Sequence, residues 1–210
     1  LPGKLNSITI SSHNTGCGKF NYNIMYAGGT ANEFWSTLAK FCNSNTKIFL
    51  GGCSVASEPK TVARISKVTN CEVTAPTGTY FPVTGAVSKT KDSFNLTQRL
   101  GKYLTCTNKP AGDESKYNKF IYAHLRDLFD PKTNLSVGRM MSIIKDFRDD
   151  LNYISPASYE KLNQNQTNQK LISTIMEQFT IRLIKDYIKS LGCYTSKENP
   201  IQGTRQAIFK

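Results

Sequence analysis

The sequence predicts an α/β protein, a mostly parallel sheet flanked by helices and followed by a helical C-terminal part. Three observations lead there. The apolar run Ile48-Phe49-Leu50 stops at Gly51-Gly52-Cys53, and an unbroken run suits a strand covered on both faces. A second β-prone stretch, Ser7-Ile8-Thr9-Ile10-Ser11-Ser12, ends at His13, and between the two lies a helical pattern from Thr30 to Phe41 with Phe34, Leu38 and Phe41 on one face. Beyond residue 110 the apolar spacing becomes helical throughout.

Strand, helix, strand in the first half reads as a βαβ unit, and parallel neighbours bring their carboxyl ends to the same edge of the sheet. His13 and Cys53 therefore share an edge in this reading. Gly51 and Gly52 are expected to let the backbone turn sharply and approach a ligand, with Cys53 at the strand end where open α/β sheets place their sites.

Onward from the cysteine, Glu58-Pro59 opens a helix with Val62, Ile65 and Val68 near one face, ending before Asn70. Cys71 to Pro76 reads as a third strand, followed by the turn Thr77-Gly78-Thr79. Tyr80 to Val83 is aromatic and extended. Thr84 to Ser93 is a polar link, a hairpin or a flap, and Phe94 to Thr107 fits strand and helix equally. Lys109-Pro110-Ala111-Gly112-Asp113 marks the boundary, giving an α/β core over 1–110 and a helical extension over 111–210.

In the extension, Tyr117, Phe120, Ile121, Leu125 and Leu128 make one amphipathic face, and Val137, Met140, Met141, Ile144 and Phe147 a second. Ser155-Pro156 caps a short helix through Tyr159 and Leu162. The longest helix runs from about Thr167 to Leu191, stopped by Gly192. These stripes are core-forming, and His124 reads as an ordinary helix residue.

The chain has 27 Lys and Arg against 15 Asp and Glu, a formal charge of +12. Residues 1–110 hold most of the imbalance, which favours an anionic partner or is a solvated lysine-rich surface. Among the scattered basic residues only Lys60, Arg64 and Lys67 share a helical face. No stretch is long and apolar enough for a membrane span, and no nucleic-acid motif is present. The chain opens on Leu1, as expected of a processed product or an excised fragment.

Six cysteines permit a disulfide framework and do not compel one; Cys42 falls on the apolar face of a predicted helix, as a core residue would. His13 with Cys17 is too thin a pair for zinc, and no metal is expected. The sequons at Asn95, Asn134 and Asn165 are what an Asn-, Ser- and Thr-rich composition gives by chance.

The paired stretches Ile8-Thr9-Ile10-Ser11-Ser12-His13 and Ile48-Phe49-Leu50-Gly51-Gly52-Cys53-Ser54 resemble the caspase-like (clan CD) cysteine peptidases. The nearest variety is bacterial, the self-processing cysteine protease domains of large clostridial and RTX toxins and the caspase-like domains of giant adhesins. Residues 68–78 resemble the strand that follows the nucleophile helix there. The resemblance covers roughly residues 5–85 and implies a cysteine endopeptidase of toxin or effector type acting on a protein or peptide. Cys53 would be the nucleophile, His13 the proton donor to the leaving amine, the N–H groups of Asn14 and Cys53 the oxyanion hole, and Thr74, Ala75 and Pro76 the substrate-pocket strand. The family has glycine where this chain has Asn14, a residue that also tolerates left-handed backbone. No cofactor is required, but the family also implies inositol hexakisphosphate as an activator, for which Lys60, Arg64 and Lys67 are the candidate anion ligands. Secretion or delivery into a host cell is the expected location, where a reactive thiol survives best under reducing conditions.

Two alternatives stand beside this reading. One is a caspase-like fold without activity that serves as an interaction module, and Asn14 is the feature that favours it. The other is a basic protein that binds or cuts nucleic acid, against which Glu33, Glu58, Glu72 and Asp92 form no carboxylate cluster in the first half.

Overall fold

A computed structural model of the chain describes residues 5–12, 30–91, 95–115, 156–164 and 168–201, with single positions at 117, 136, 138, 139, 141–143 and 145. It divides into two units, one of residues 1–114 with 187–210, the other of residues 115–186.

The first unit is built on a five-stranded sheet of order β1-β2-β3-β6-β7. β1 (Leu5–Ser11), β2 (Cys42–Gly51) and β3 (Glu72–Pro76) run parallel; β6 (Tyr103–Cys106) and β7 (Cys193–Ser196) continue the sheet antiparallel. The α/β class holds, and the sheet is mixed: the parallel part ends at β3. Its cause lies in the chain between β3 and β6, where β4 (Thr79–Phe81) and β5 (Ala86–Ser88) form a separate antiparallel hairpin and no crossover helix intervenes. Without a helix to carry it across, the chain returns antiparallel.

Ile48, Phe49 and Leu50 are all buried, as their unbroken apolar run predicts. Alternation along the strand sends Phe49 to the face opposite Ile48 and Leu50. There it joins Tyr80 of the hairpin, Val87, Tyr103 and Ile201 in one apolar cluster, its ring 5.4 Å from Tyr80 and 6.4 Å from Tyr103. These are edge-on and tilted arrangements that aromatic quadrupoles favour.

α1 (Thr30–Ala39) is shorter than its apolar pattern implied, and its buried residue is Trp35. Phe34 and Phe41 are partly exposed, Phe34 standing edge-on to Trp35 at 5.0 Å. Burying the larger indole rotates the expected face away. Cys42 consequently is no helix residue; it opens β2. α2 (Pro59–Thr69) packs against α1, β3 and β6, buries Val62 and Ile65, and ends on Asn70 in left-handed backbone (φ 54°), as an amide side chain allows.

The ambiguous segment 94–107 resolves into a short 3-10 turn (Thr97–Arg99) and then β6. Asn95 is buried, its amide donating to the Thr77 carbonyl, so that sequon is closed to glycan in the folded protein.

The second unit carries α3 (Pro156–Gln164) and most of α4 (Gln169–Ser190). Pro156 is the first residue of α3 and Leu162 is fully buried. Asn168 caps α4, its Oδ1 accepting the Leu171 N–H at 3.1 Å, and Gly192 (φ 76°) follows its end. The predicted stripe is buried at Ile172, Met176, Phe179, Leu183, Ile184, Tyr187 and Ile188. Residues 118–135, with His124 and the face from Phe120 to Leu128, lie outside the described residues.

The compact units divide the chain differently from the expected 1–110 and 111–210. The first unit runs to Glu114, and residues 187–210 return to it, because β7 pairs with β6 and Cys193 is disulfide-bonded to Cys106.

Candidate functional site

β1 and β2 pair in register from Ser7–Lys47 to Ser11–Gly51, and the Ser12 N–H donates to the Gly51 carbonyl at 3.2 Å. The two strands thus end level, and Cys53 lies two residues beyond the last pair. Its thiol is half-buried and directed at the Tyr80 carbonyl of β4 at 3.8 Å. The next residue, Ser54, donates its N–H to the Gly78 carbonyl at 2.8 Å. The hairpin therefore forms one wall beside the cysteine.

The turn itself differs from expectation. Gly51 and Gly52 are not left-handed; Ser54 is, at φ 53°, ψ 27°. Glycine at 51 serves close packing instead: a Cβ there would sit 2.6 Å from Ser11 Oγ and 3.2 Å from the Tyr80 ring. A side chain there would need Ser11 Oγ to rotate and the Tyr80 and Phe49 rings to give, so glycine lets β1, β2 and the hairpin converge beside Cys53 without adjustment.

His13 and Asn14, the expected proton donor and oxyanion-hole residue, lie outside the described residues, as does Cys17. Thr74, Ala75 and Pro76 are inside the sheet rather than at an open wall. Thr74 is fully buried and its hydroxyl meets Thr105 Oγ1 at 2.9 Å; Ala75 and Pro76 pair with Leu104 and Tyr103 of β6. All three are buried, and β6 takes the backbone hydrogen bonds along that edge of β3.

Lys60, Arg64 and Lys67 do stand together. They line one side of a groove of about 500 Å³, facing Thr107, Asn108 and Pro110 and the end of α4 at Ser190 and Leu191. Lys60 Nζ is 3.5 Å from Glu114, a partly exposed pair of the weak surface kind. The helical spacing in the sequence was enough to find this basic face; the opposite wall, assembled from segments 40 to 130 positions away, was not visible there.

Among the described residues, two groups have displaced protonation. Partial desolvation raises the Glu58 carboxyl at the start of α2 above its ordinary value, and burial beside Cys42 pushes the Cys71 thiol up to about 12. Among the described residues no three His, Cys, Asp or Glu side chains could hold a metal ion, and no described helix is long and apolar enough to cross a membrane.

Fold and site together define an α/β unit with a half-buried cysteine at the carboxyl edge of its parallel strands. Comparison with protein-family models, curated proteins and solved structures returns no match for this chain.

Proposed function

We propose that the protein is a cysteine endopeptidase of caspase-like type, with Cys53 as nucleophile and His13 as its partner. One observation carries the reading: a half-buried cysteine follows β2 at the edge where β1 also ends, and His13 is the residue that follows Ser12 in the chain. Parallel strands ending level are the simplest way to bring two reactive residues from distant sequence to one place.

In this mechanism the Cys53 thiolate attacks the scissile carbonyl carbon, forming a C–S bond, and the oxyanion is held by the N–H groups of Cys53 and Asn14. Collapse breaks the C–N bond, and His13 supplies the proton to the departing amine. Water then hydrolyses the thioester and releases Cys53. The substrate would be an extended peptide laid beside the β4–β5 hairpin, whose Phe81 and Val83 are exposed. The test is intact-mass analysis after incubation with a thiol-reactive peptide electrophile. Single-site labelling lost in Cys53→Ala supports the reading; labelling spread equally over several thiols in both proteins moves the weight to an inactive interaction module.

The basic groove favours a second element, a polyanion held by Lys60, Arg64 and Lys67. Inositol hexakisphosphate is the probe. A rise in melting temperature that is lost when the three are changed to Gln supports it, and no shift at low salt removes it. The disulfide favours secretion over delivery into a reducing compartment, since such bonds persist in oxidising ones.

A further inference from the structure

Two cysteines that this mechanism does not use stand together. α1 and α2 each lead into a parallel strand, and each corner carries one cysteine, Cys42 opening β2 and Cys71 immediately preceding β3. β2 and β3 are neighbours, with Lys47 opposite Glu72. Continued one step back, this register would set Thr46 opposite Cys71. The ladder is irregular there, however: on β1, Leu5 pairs with Cys42 while Ser7 already pairs with Lys47. Residues 43–46 arch out of the ladder, held by Thr46, whose hydroxyl donates to the Leu5 carbonyl and accepts the Asn43 N–H at 2.8 Å. The arch brings Cys42 to within one position of Cys71 across the neighbouring strands, where the two thiols interact. Each also donates to the end of its own helix, Cys42 to the Leu38 carbonyl at 3.3 Å and Cys71 to the Thr69 carbonyl at 3.2 Å. Both are free thiols in the structure.

We propose that Cys42 and Cys71 are a reversible dithiol, whose oxidation forms a second disulfide pinning the α1–β2 corner to the α2–β3 corner. With oxidised glutathione as oxidant the chemistry balances. Cys42, the half-buried and more accessible thiol, attacks one glutathione sulfur as thiolate and releases one glutathione. The buried Cys71 sulfur then attacks the Cys42 sulfur, its proton leaving with the second glutathione. Two thiols lose two electrons and two protons, and one disulfide becomes two glutathiones. The bond would close a loop of about thirty residues containing β2, Cys53 and α2, and so restrain the unfolded chain. It is independent of whether Cys53 is a nucleophile.

The experiment equilibrates the protein with oxidised or reduced glutathione, alkylates remaining thiols, and maps peptides without reduction, alongside thermal melts. Expected after oxidation are a Cys42–Cys71 linked peptide and a melting temperature higher by about 5–10 °C, both absent in Cys42→Ala and Cys71→Ser. Cys106–Cys193 should stay joined in both conditions. Independent alkylation of Cys42 and Cys71 after oxidation, or their pairing with Cys17 or Cys53 instead, would overturn the proposal.

Discussion

Cys106 in β6 is bonded to Cys193 in β7, its direct partner in the antiparallel register and 87 positions later in the chain. The bond fixes the strand that follows α4 onto the sheet begun by β1. A loop of this length removes much unfolded-state entropy, and the double change Cys106→Ala, Cys193→Ala is expected to cost about 4 kcal/mol, lowering Tm by roughly 10 °C. Thermal denaturation of wild type and variant without reductant measures it directly.

Thr74 and Thr105 share one buried hydrogen bond across β3 and β6. Thr74→Val leaves Thr105 with a buried hydroxyl lacking this partner and should cost about 1–3 kcal/mol. Adding Thr105→Val should recover part of the loss, since two apolar groups bury better than one orphaned hydroxyl. A double-mutant cycle in urea reads the coupling; additive losses would contradict a shared bond.

Ser54 holds left-handed backbone directly after Cys53. Ser54→Gly relieves that conformation and should be near neutral in stability, whereas Ser54→Val should destabilise by about 1–2 kcal/mol and displace the thiol from the Tyr80 carbonyl. Electrophile labelling rates at Cys53 in the two variants separate the geometric effect from unfolding.

Gly51→Ala places a methyl group against Ser11 Oγ and the Tyr80 ring. Loss of Cys53 labelling with the sheet retained by circular dichroism is the expected outcome, because the clash lies where β1, β2 and the hairpin meet. Unchanged labelling would mean that rotation of Ser11 Oγ and small ring shifts absorb the methyl group.

The Cys71 thiol titrates near 12 in the folded protein against an ordinary 9.0. Its unfolded form therefore loses the proton first, and the unfolded state binds fewer protons than the native one above that ordinary value. By linkage its contribution to stability is complete below pH 9 and declines as pH rises from 9 toward 12. Urea titrations of the reduced protein between pH 8 and 10.5 should show this decline, and Cys71→Ala should flatten it.

Much of the first unit was legible in the residues. Ile48-Phe49-Leu50 is a buried strand because no alternation leaves it a wet face, α2 runs from Pro59 and closes at Asn70, and the last long helix stops before Gly192. The basic face of Lys60, Arg64 and Lys67 followed from helical spacing alone. That Thr74, Ala75 and Pro76 lie beside β6 was not legible, because nothing in their own segment reveals which strand will pair with them.

What the sequence determined by itself is therefore local: most of the strands and helices, many of their ends, and that Cys53 follows a strand. Periodicity, caps and turn residues act over a few positions and can be read there. Only the tertiary structure decided that the sheet turns antiparallel after β3, that the last strand comes back to close it, and that Cys106 meets Cys193 and Cys42 meets Cys71. Such pairings depend on which distant surfaces bury each other best, a competition among whole elements that no short window of residues encodes.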